Sequence, residues 1–275
     1  MIFADAHCHL QDTRLRGAIS DILGACRGNH IQRWIVNSTR ESDWESVSSL
    51  CDSQSGLHPA YGLHPWWIRE RTPEWEIRLE KRLHAEPLAS IGETGLDLWM
   101  QEADLEDQTA VLAAHLRLAY ELDRPVSLHC LRAWPQLLKI ITHSPPLPAG
   151  FLLHSFAGPR ADIPRWVALG AYFSFSPAFV APKRTAIRSM YANEIPLDRL
   201  LVETDCPDMA PSPEFCKAQV PSGPLNACAA GERPLNHPLN LLVCIESLAR
   251  DRRMDPHSLQ AVLWKNFCTL WPSAA

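Results

Sequence analysis

No stretch of this 275-residue chain stays apolar for the roughly 18 to 20 residues a membrane-spanning helix needs, because His, Arg or Asp interrupts each candidate run first. No basic segment leads into an apolar one near the start, which reads Met-Ile-Phe-Ala-Asp, so neither a secretory nor a transit signal is expected. The cytoplasm is the default compartment. No Cys-x-x-Cys pair occurs. The nine cysteines, Cys8, Cys26, Cys51, Cys130, Cys206, Cys216, Cys228, Cys244 and Cys268, are scattered and odd in number, which argues against a disulfide framework or zinc knuckle and for buried small hydrophobes. Positive charge is scarce: 26 Lys and Arg against 31 Asp and Glu leave a net charge of −5. That excludes a broad basic face that coats nucleic acid, and any phosphate ligand needs positive charge supplied locally. The G-x-S-x-G elbow, the G-x-x-x-x-G-K-[ST] loop and the G-x-G-x-x-G fingerprint are all missing, so serine-hydrolase, P-loop and dinucleotide readings lose their support.

What remains is an ordinary globular composition, 46% hydrophobic and 21% charged, too apolar for disorder and long enough for one large or two small domains. Short apolar runs alternate with helical stretches: residues 2–4, 33–36, 59–61, 88–91, 126–128, 151–153, 172–175 and 200–202 read as eight strands. Helices are expected over 102–122, where Leu105, Leu112, Leu116 and Ala119 keep a helical period behind an acidic first turn, and over 134–142, 161–169, 183–193 and 239–252. Eight strand and helix units in alternation are the count of a closed (β/α)8 barrel of the TIM type, with an open doubly wound sheet as the competing architecture. No linker or repeat divides residues 1–275, so a single domain is expected. From Cys206 to Pro238 seven prolines stand in a segment of little periodicity, expected as a long loop over the barrel's C-terminal mouth.

The twelve histidines are the unusual supply. His7 and His9 follow the first expected strand, His64 the third, Glu93 the fourth, His129 the fifth, His154 the sixth and Asp205 the eighth. Residues two apart on extended backbone point the same way, so His7 and His9 can present two imidazoles to one space. In a parallel barrel all strand carboxyl ends open on one face, which would gather these groups at one mouth. Imidazoles and carboxylates in this ratio suit divalent Zn, Mn or Fe, and Mg with more water, and they exceed the needs of one ion. Two ions about 3.5 to 4 Å apart would use them, with Glu93 as the bridging carboxylate. His64 is either a supporting group or a substrate contact, while Asp97 and Arg132 lie in mouth loops or in surface ion pairs. His30, His58, His84, His115, His143 and His257 fall in helices, helix ends or strand starts and are expected to be scaffold.

Six strings carry a family resemblance: Asp5-Ala6-His7-Cys8-His9-Leu10, Gly62-Leu63-His64-Pro65, Ile91-Gly92-Glu93-Thr94-Gly95-Leu96-Asp97, Pro125-Val126-Ser127-Leu128-His129, His154-Ser155-Phe156-Ala157-Gly158 and Leu201-Val202-Glu203-Thr204-Asp205-Cys206-Pro207. In this order they make the chain resemble, from end to end, the TatD-type metal-dependent deoxyribonucleases of the amidohydrolase-like barrels. The resemblance implies that His7, His9, Glu93 and Asp205 bind one divalent ion and Glu93, His129 and His154 another, whether Mg, Mn or Zn. It further implies cleavage of DNA phosphodiesters, commonly as an exonuclease. The chain departs from the family at Arg233-Pro234-Leu235-Asn236-His237-Pro238, where N-E-P is usual, so that His237 stands in place of an acid. It also has Cys130-Leu131-Arg132 after His129, and Leu98-Trp99 where a tyrosine is common.

From these residues the expected chemistry is a two-metal hydrolysis with Asp205 as ligand and general base, Glu93 as its catalytic partner, and His64, Asp97, Arg132, Arg233 and Asn236 holding substrate. DNA, single-stranded or at strand ends, is the expected partner, without a membrane, and the protein is expected to be a monomer. Hydrolysis of cyclic amides or lactones is the alternative that the same mouth allows. A binding module without catalysis would show missing ligands or a basic stripe, and neither is present.

Overall fold

The structure is a computed structural model that describes residues 2–220 and 234–274. Its strands are β1 (Phe3–Cys8), β2 (Ile31–Asn37), β3 (Leu57–Tyr61), β4 (Ser90–Asp97), β5 (Val126–Leu131), β6 (Phe151–Leu153), β7 (Ala171–Phe175) and β8 (Leu200–Val202), which follow one another in sequence order in one sheet. The registered pairs are parallel, among them Phe3 with Ile31, Tyr61 with Ile91, Gly95 with His129 and Leu153 with Phe173. Between and after them come α1 (Ile19–Gly28), α2 (Trp44–Ser53), α3 (Trp75–Ala85), α4 (Leu105–Leu122), α5 (Trp134–His143), α6 (Ile163–Ala168), α7 (Thr185–Asn193), α8 (Leu241–Arg252) and α9 (Pro256–Leu270). This is the (β/α)8 class that the alternation of apolar runs and helical stretches predicts.

Two helices begin at a side chain that satisfies a free N–H group. Asp104 caps α4 by accepting from the Asp107 amide at 3.0 Å, and Asp255 caps α9 by accepting from Ser258 at 2.9 Å, with Pro256 opening the first turn. α4 ends at Asp123 in the left-handed region, φ 50°. Strands β4 and β7 are buried along their whole length, as expected for parallel strands covered on both faces.

The described residues fall into two compact units, each with its own core. The first comprises the chain up to Val36 and from Ser174 to Ser273. In it α9 packs on β1 and β8, and Leu241, Cys244, Leu248, Leu259, Leu263 and Phe267 are buried. Phe175 and Tyr191 meet edge to face at 5.1 Å. The second unit is Asn37–Phe173 with Ala274. Its core includes Trp134, Phe156 and Phe173, with centroids at 4.7 Å for the first pair and 5.1 Å for the second.

Three strands run further than their apolar cores predict. β1 continues through Asp5 and His7 to Cys8, β4 through Glu93 to Asp97, and β5 through His129 to Leu131. The polar residues that mark an end to an apolar run are buried or half-buried and partnered here, so the ladder continues through them. Helices α1, α2, α3 and α9 are not marked by periodicity. Their apolar stripes are narrow, as in α3, where only Trp75, Leu79 and Leu83 are buried. In the proline-rich segment Pro213–Phe215 forms a 3-10 turn and Gln219 pairs with Asn236 in an antiparallel bridge. Arg233 and Cys228 lie outside the described residues. The other eight cysteines are free thiols, five of them buried.

Candidate metal centre

Each unit assembles its own set of nitrogen and oxygen donors. In the first, His7 on β1 and His9 just past its end turn their side chains to one space, as their spacing predicts, and their Nε2 atoms lie 3.3 Å apart. Asp205 Oδ1 stands 3.3 Å from His9 Nε2 and 3.7 Å from His7 Nε2. Backbone bonds lock this register: the Asp205 amide donates to the His7 carbonyl at 2.9 Å and the His9 amide to the Cys206 carbonyl at 2.7 Å. Asp205 adopts φ 52°, a left-handed conformation that costs a non-glycine residue on the order of 1 kcal/mol and that recurs at sites where a side chain must be aimed.

Beneath this set lies Asp5. It is fully buried and takes hydrogen bonds on Oδ1 from the Thr204 amide at 2.9 Å and the His7 amide at 3.3 Å, and on Oδ2 from the Thr204 hydroxyl. Burial outweighs these donors and pushes its pKa up to about 8. Through these bonds Asp5 acts as a strut between β1 and the segment after β8. Its neighbour in charge is Glu203, also buried, which is bonded by the Ser174 hydroxyl.

In the second unit Glu93 Oε1 is the focus. It lies 2.9 Å from His154 Nε2, 3.0 Å from His129 Nδ1 and 3.5 Å from His64 Nε2, and the first two nitrogens are 3.1 Å apart. Tautomers follow from the outer partners. His129 Nε2 faces Asp97 Oδ2 at 3.2 Å, so that nitrogen carries the proton and Nδ1 keeps its lone pair for a ligand. His64 Nδ1 accepts from the Trp66 amide at 3.1 Å, so its proton sits on Nε2, where it donates toward Glu93.

Asp97 has no exposed surface and serves three partners besides His129: Trp66 Nε1 at 2.6 Å, the Trp99 amide at 2.7 Å and the Met100 amide at 3.3 Å. Burial by itself would raise its pKa, but the charge and hydrogen bond of His129, with these N–H donors, hold it at about 2. Burial likewise opposes protonation of His129, yet Asp97 and Glu93 raise its pKa. A site whose field favours an imidazolium favours any cation, and the converging imidazoles and carboxylates are the donor types of a divalent transition metal. Neighbouring ligands bound at about 2.0 to 2.2 Å lie roughly 3 to 3.5 Å from one another, and the donor atoms quoted for the two sets lie 2.9 to 3.7 Å apart.

Close approach of β4 and β5 brings Glu93 to His129, and glycine makes it possible. At Gly95, φ 150°, a Cβ would stand 1.9 Å from the His129 carbonyl oxygen. Only glycine fits there.

The other expected site residues are placed as follows. Arg132 is exposed, with φ 59°, and its guanidinium lies 5.0 Å over the Trp99 ring. Asn236 is fully buried; its amide donates to the Thr204 carbonyl at 2.7 Å and accepts from Asn240 at 2.9 Å, which makes it an anchor of the loop end. His237 accepts from the Leu239 amide through Nδ1 at 3.0 Å, and burial lowers its pKa to about 4. His115 is scaffold, as expected: Nδ1 donates to the Val111 carbonyl at 2.7 Å and Nε2 accepts from the Leu63 amide at 3.2 Å. Sequence reasoning passed over Asp5, Thr204, Trp66 and the full part played by Asp97. The Asp5, Asp97 and Thr204 positions carried a signal, as members of their motifs, and Trp66 carried none.

A (β/α)8 fold carrying histidine and carboxylate donor sets at its strand ends defines the class of metal-dependent hydrolases. The family model described as TatD related DNase matches residues 4–272, and the chain belongs to that family. It is 30% identical over 210 residues, 75% of this chain and 80% of the other, to the uncharacterized metal-dependent hydrolase YjjV of Escherichia coli K12. The crystal structure of YjjV, a TatD homolog, superposes with a TM-score of 0.85 at 26% identity over 98% of both chains. A putative deoxyribonuclease of Mus musculus, TATDN3, is 24% identical over 98% of this chain and 87% of its own. No helix among the described residues is long and apolar enough to cross a membrane.

Proposed function

We propose that this metal-dependent hydrolase is a deoxyribonuclease with exonuclease character, acting on single strands or strand ends as a single catalytic domain and a monomer. The observation that carries the reading is the pair of donor sets, His7, His9 and Asp205 in one unit and Glu93, His129 and His154 in the other, in a chain of the TatD related DNase family.

Each set suits one divalent ion, Mg, Mn or Zn, which would supply Lewis acidity at the phosphoryl oxygens and acidify water. The remaining steps belong to the protein. Asp205, the more exposed of the two catalytic carboxylates, accepts the proton of the attacking water. Glu93 Oε1 faces the nitrogens of His154 and His129 across the space an ion would fill and keeps the Nε2 proton of His64 directed inward. His64 offers that proton to a phosphate oxygen, and Asp97 keeps the His129 ring in its ligating tautomer. Arg132 meets the phosphate backbone from the exposed side, with Arg233 as a second cation for the same task. Asn236 contributes by fixing the loop that follows Asp205. Acidic overall, the protein captures phosphate through bound cations in place of a basic face.

The test is an end-labelled oligonucleotide, single- or double-stranded, incubated with the protein and Mg, Mn or Zn beside a panel of lactones and cyclic amides. Stepwise loss of nucleotides, abolished by a chelator, is the expected result. Turnover of a lactone or cyclic amide with intact DNA would overturn it.

A further inference from the structure

Five large apolar side chains are exposed among the described residues, and two of them, Trp66 at 54% and Trp99 at 62%, are bonded to Asp97, the outer partner of His129. Isolated exposed apolar residues need no explanation. These two are held in place. Trp66 donates its indole N–H to Asp97 Oδ2 at 2.6 Å and stands edge-on to His64, 5.2 Å between centroids. The Trp99 amide donates to Asp97 Oδ1 at 2.7 Å, and the Arg132 guanidinium lies over its ring. The carboxylate that orients His129 therefore also holds the indole of Trp66 and the backbone of Trp99, whose ring meets the Arg132 guanidinium.

We infer that Trp66 and Trp99, with Arg132, form a stacking platform that takes an unpaired nucleobase of the strand whose phosphodiester lies at the Glu93 donor set. This rests on the proposed phosphodiester hydrolysis and names what that site recognises beyond the phosphate. Anchored indoles present flat π-faces at little cost in ordering, and every base has a face to offer them. Bases in a duplex are already stacked on their neighbours, so the platform favours single strands and frayed ends. The Arg132 cation completes it, since a guanidinium stacked on an indole keeps its N–H edge free for a phosphate oxygen.

Trp99 is the residue to change, because its link to Asp97 runs through the backbone and survives replacement of the ring. A fluorescein-labelled deoxythymidine oligomer and an abasic strand of equal length serve as probes, read by anisotropy for binding and by product release for KM and kcat. The wild type is expected to bind the base-bearing strand about tenfold more tightly than the abasic one, the size of one base-aromatic stack. In Trp99→Ala the KM and Kd for the base-bearing strand rise to those of the abasic strand, and Trp99→Phe restores most of the preference. Equal affinity of the wild type for both strands, or a preference that survives Trp99→Ala, would overturn the platform while leaving the nuclease reading standing. If neither strand is hydrolysed, that reading fails, and the anisotropy comparison still decides the platform by the same criterion.

Discussion

Asp97 in the second unit and Asp5 in the first are both without exposed surface, yet one is held at about pKa 2 and the other is pushed up to about 8. Burial acts on both in the same direction, against the charge. Asp97 faces an imidazole and three N–H donors, whereas Asp5 faces a hydroxyl and two amides with Glu203 nearby. The histidines divide in the same way. His129 touches two carboxylates and is raised, while His115 is hydrogen-bonded to backbone and is lowered to about 4. On the proposed function, a carboxylate paired with an imidazole serves the chemistry and one paired with a hydroxyl serves the scaffold.

The strongest way to break this division is to neutralise the acids that touch imidazoles. Glu93→Gln and Asp205→Asn are each expected to lower kcat on a single-stranded oligonucleotide by about 10²- to 10⁴-fold, with the thermal melt of the metal-free protein nearly unchanged. Full activity in either variant would place that acid on the scaffold side.

His115 tests the other side. Its folded pKa lies below the ordinary 6.5, so its neutral form supports the fold above that value, and the support is lost as pH falls from about 6.5 toward 4. The raised pKa of Asp5 adds stability as pH falls through the same window, so the His115 loss, about 3 kcal/mol at most, is read as the difference in urea midpoint between the wild type and His115→Gln, which should narrow from pH 6.5 to 4. A difference between the two that is independent of pH over this range contradicts the assignment.

A smaller effect separates Asp97 from Asp5. Asp97→Asn is expected to weaken metal binding at the His129 set by about 10- to 100-fold, measured by competition with a chelating dye, with kcat recovering as metal is raised. Asp5→Asn should leave metal affinity within about threefold and cost about 1 kcal/mol in urea unfolding, the value of one imperfectly replaced hydrogen bond. Equal metal defects in the two variants would erase the distinction.

The fold was legible because a parallel sheet covered on both faces needs short apolar strands, and eight of them alternate with helices along the chain. Strand ends were less so: Asp5, Glu93 and His129 read as breaks, since nothing in a linear sequence shows that a polar residue is partnered inside. The residues that converge on Glu93 were legible from recurrence, a histidine or acid near the end of strand after strand. Their outer partners were not. Asp97 meets Trp66 across 31 positions and His129 across 32, contacts that only the packing of β3, β4 and β5 creates. His64 was open between two roles, and its tautomer, set by the Trp66 amide bonded to Nδ1, could not be read from the sequence.

On the proposed function each donor set holds its own ion, and turnover needs both. Metal content per chain, measured by plasma mass spectrometry after equilibrium dialysis against Mn or Zn, tests it directly. Two ions are expected in the wild type, one in Asp205→Asn and one in His129→Ala, with both variants inactive on single-stranded DNA. A single ion in the wild type, or an active one-ion variant, would contradict it.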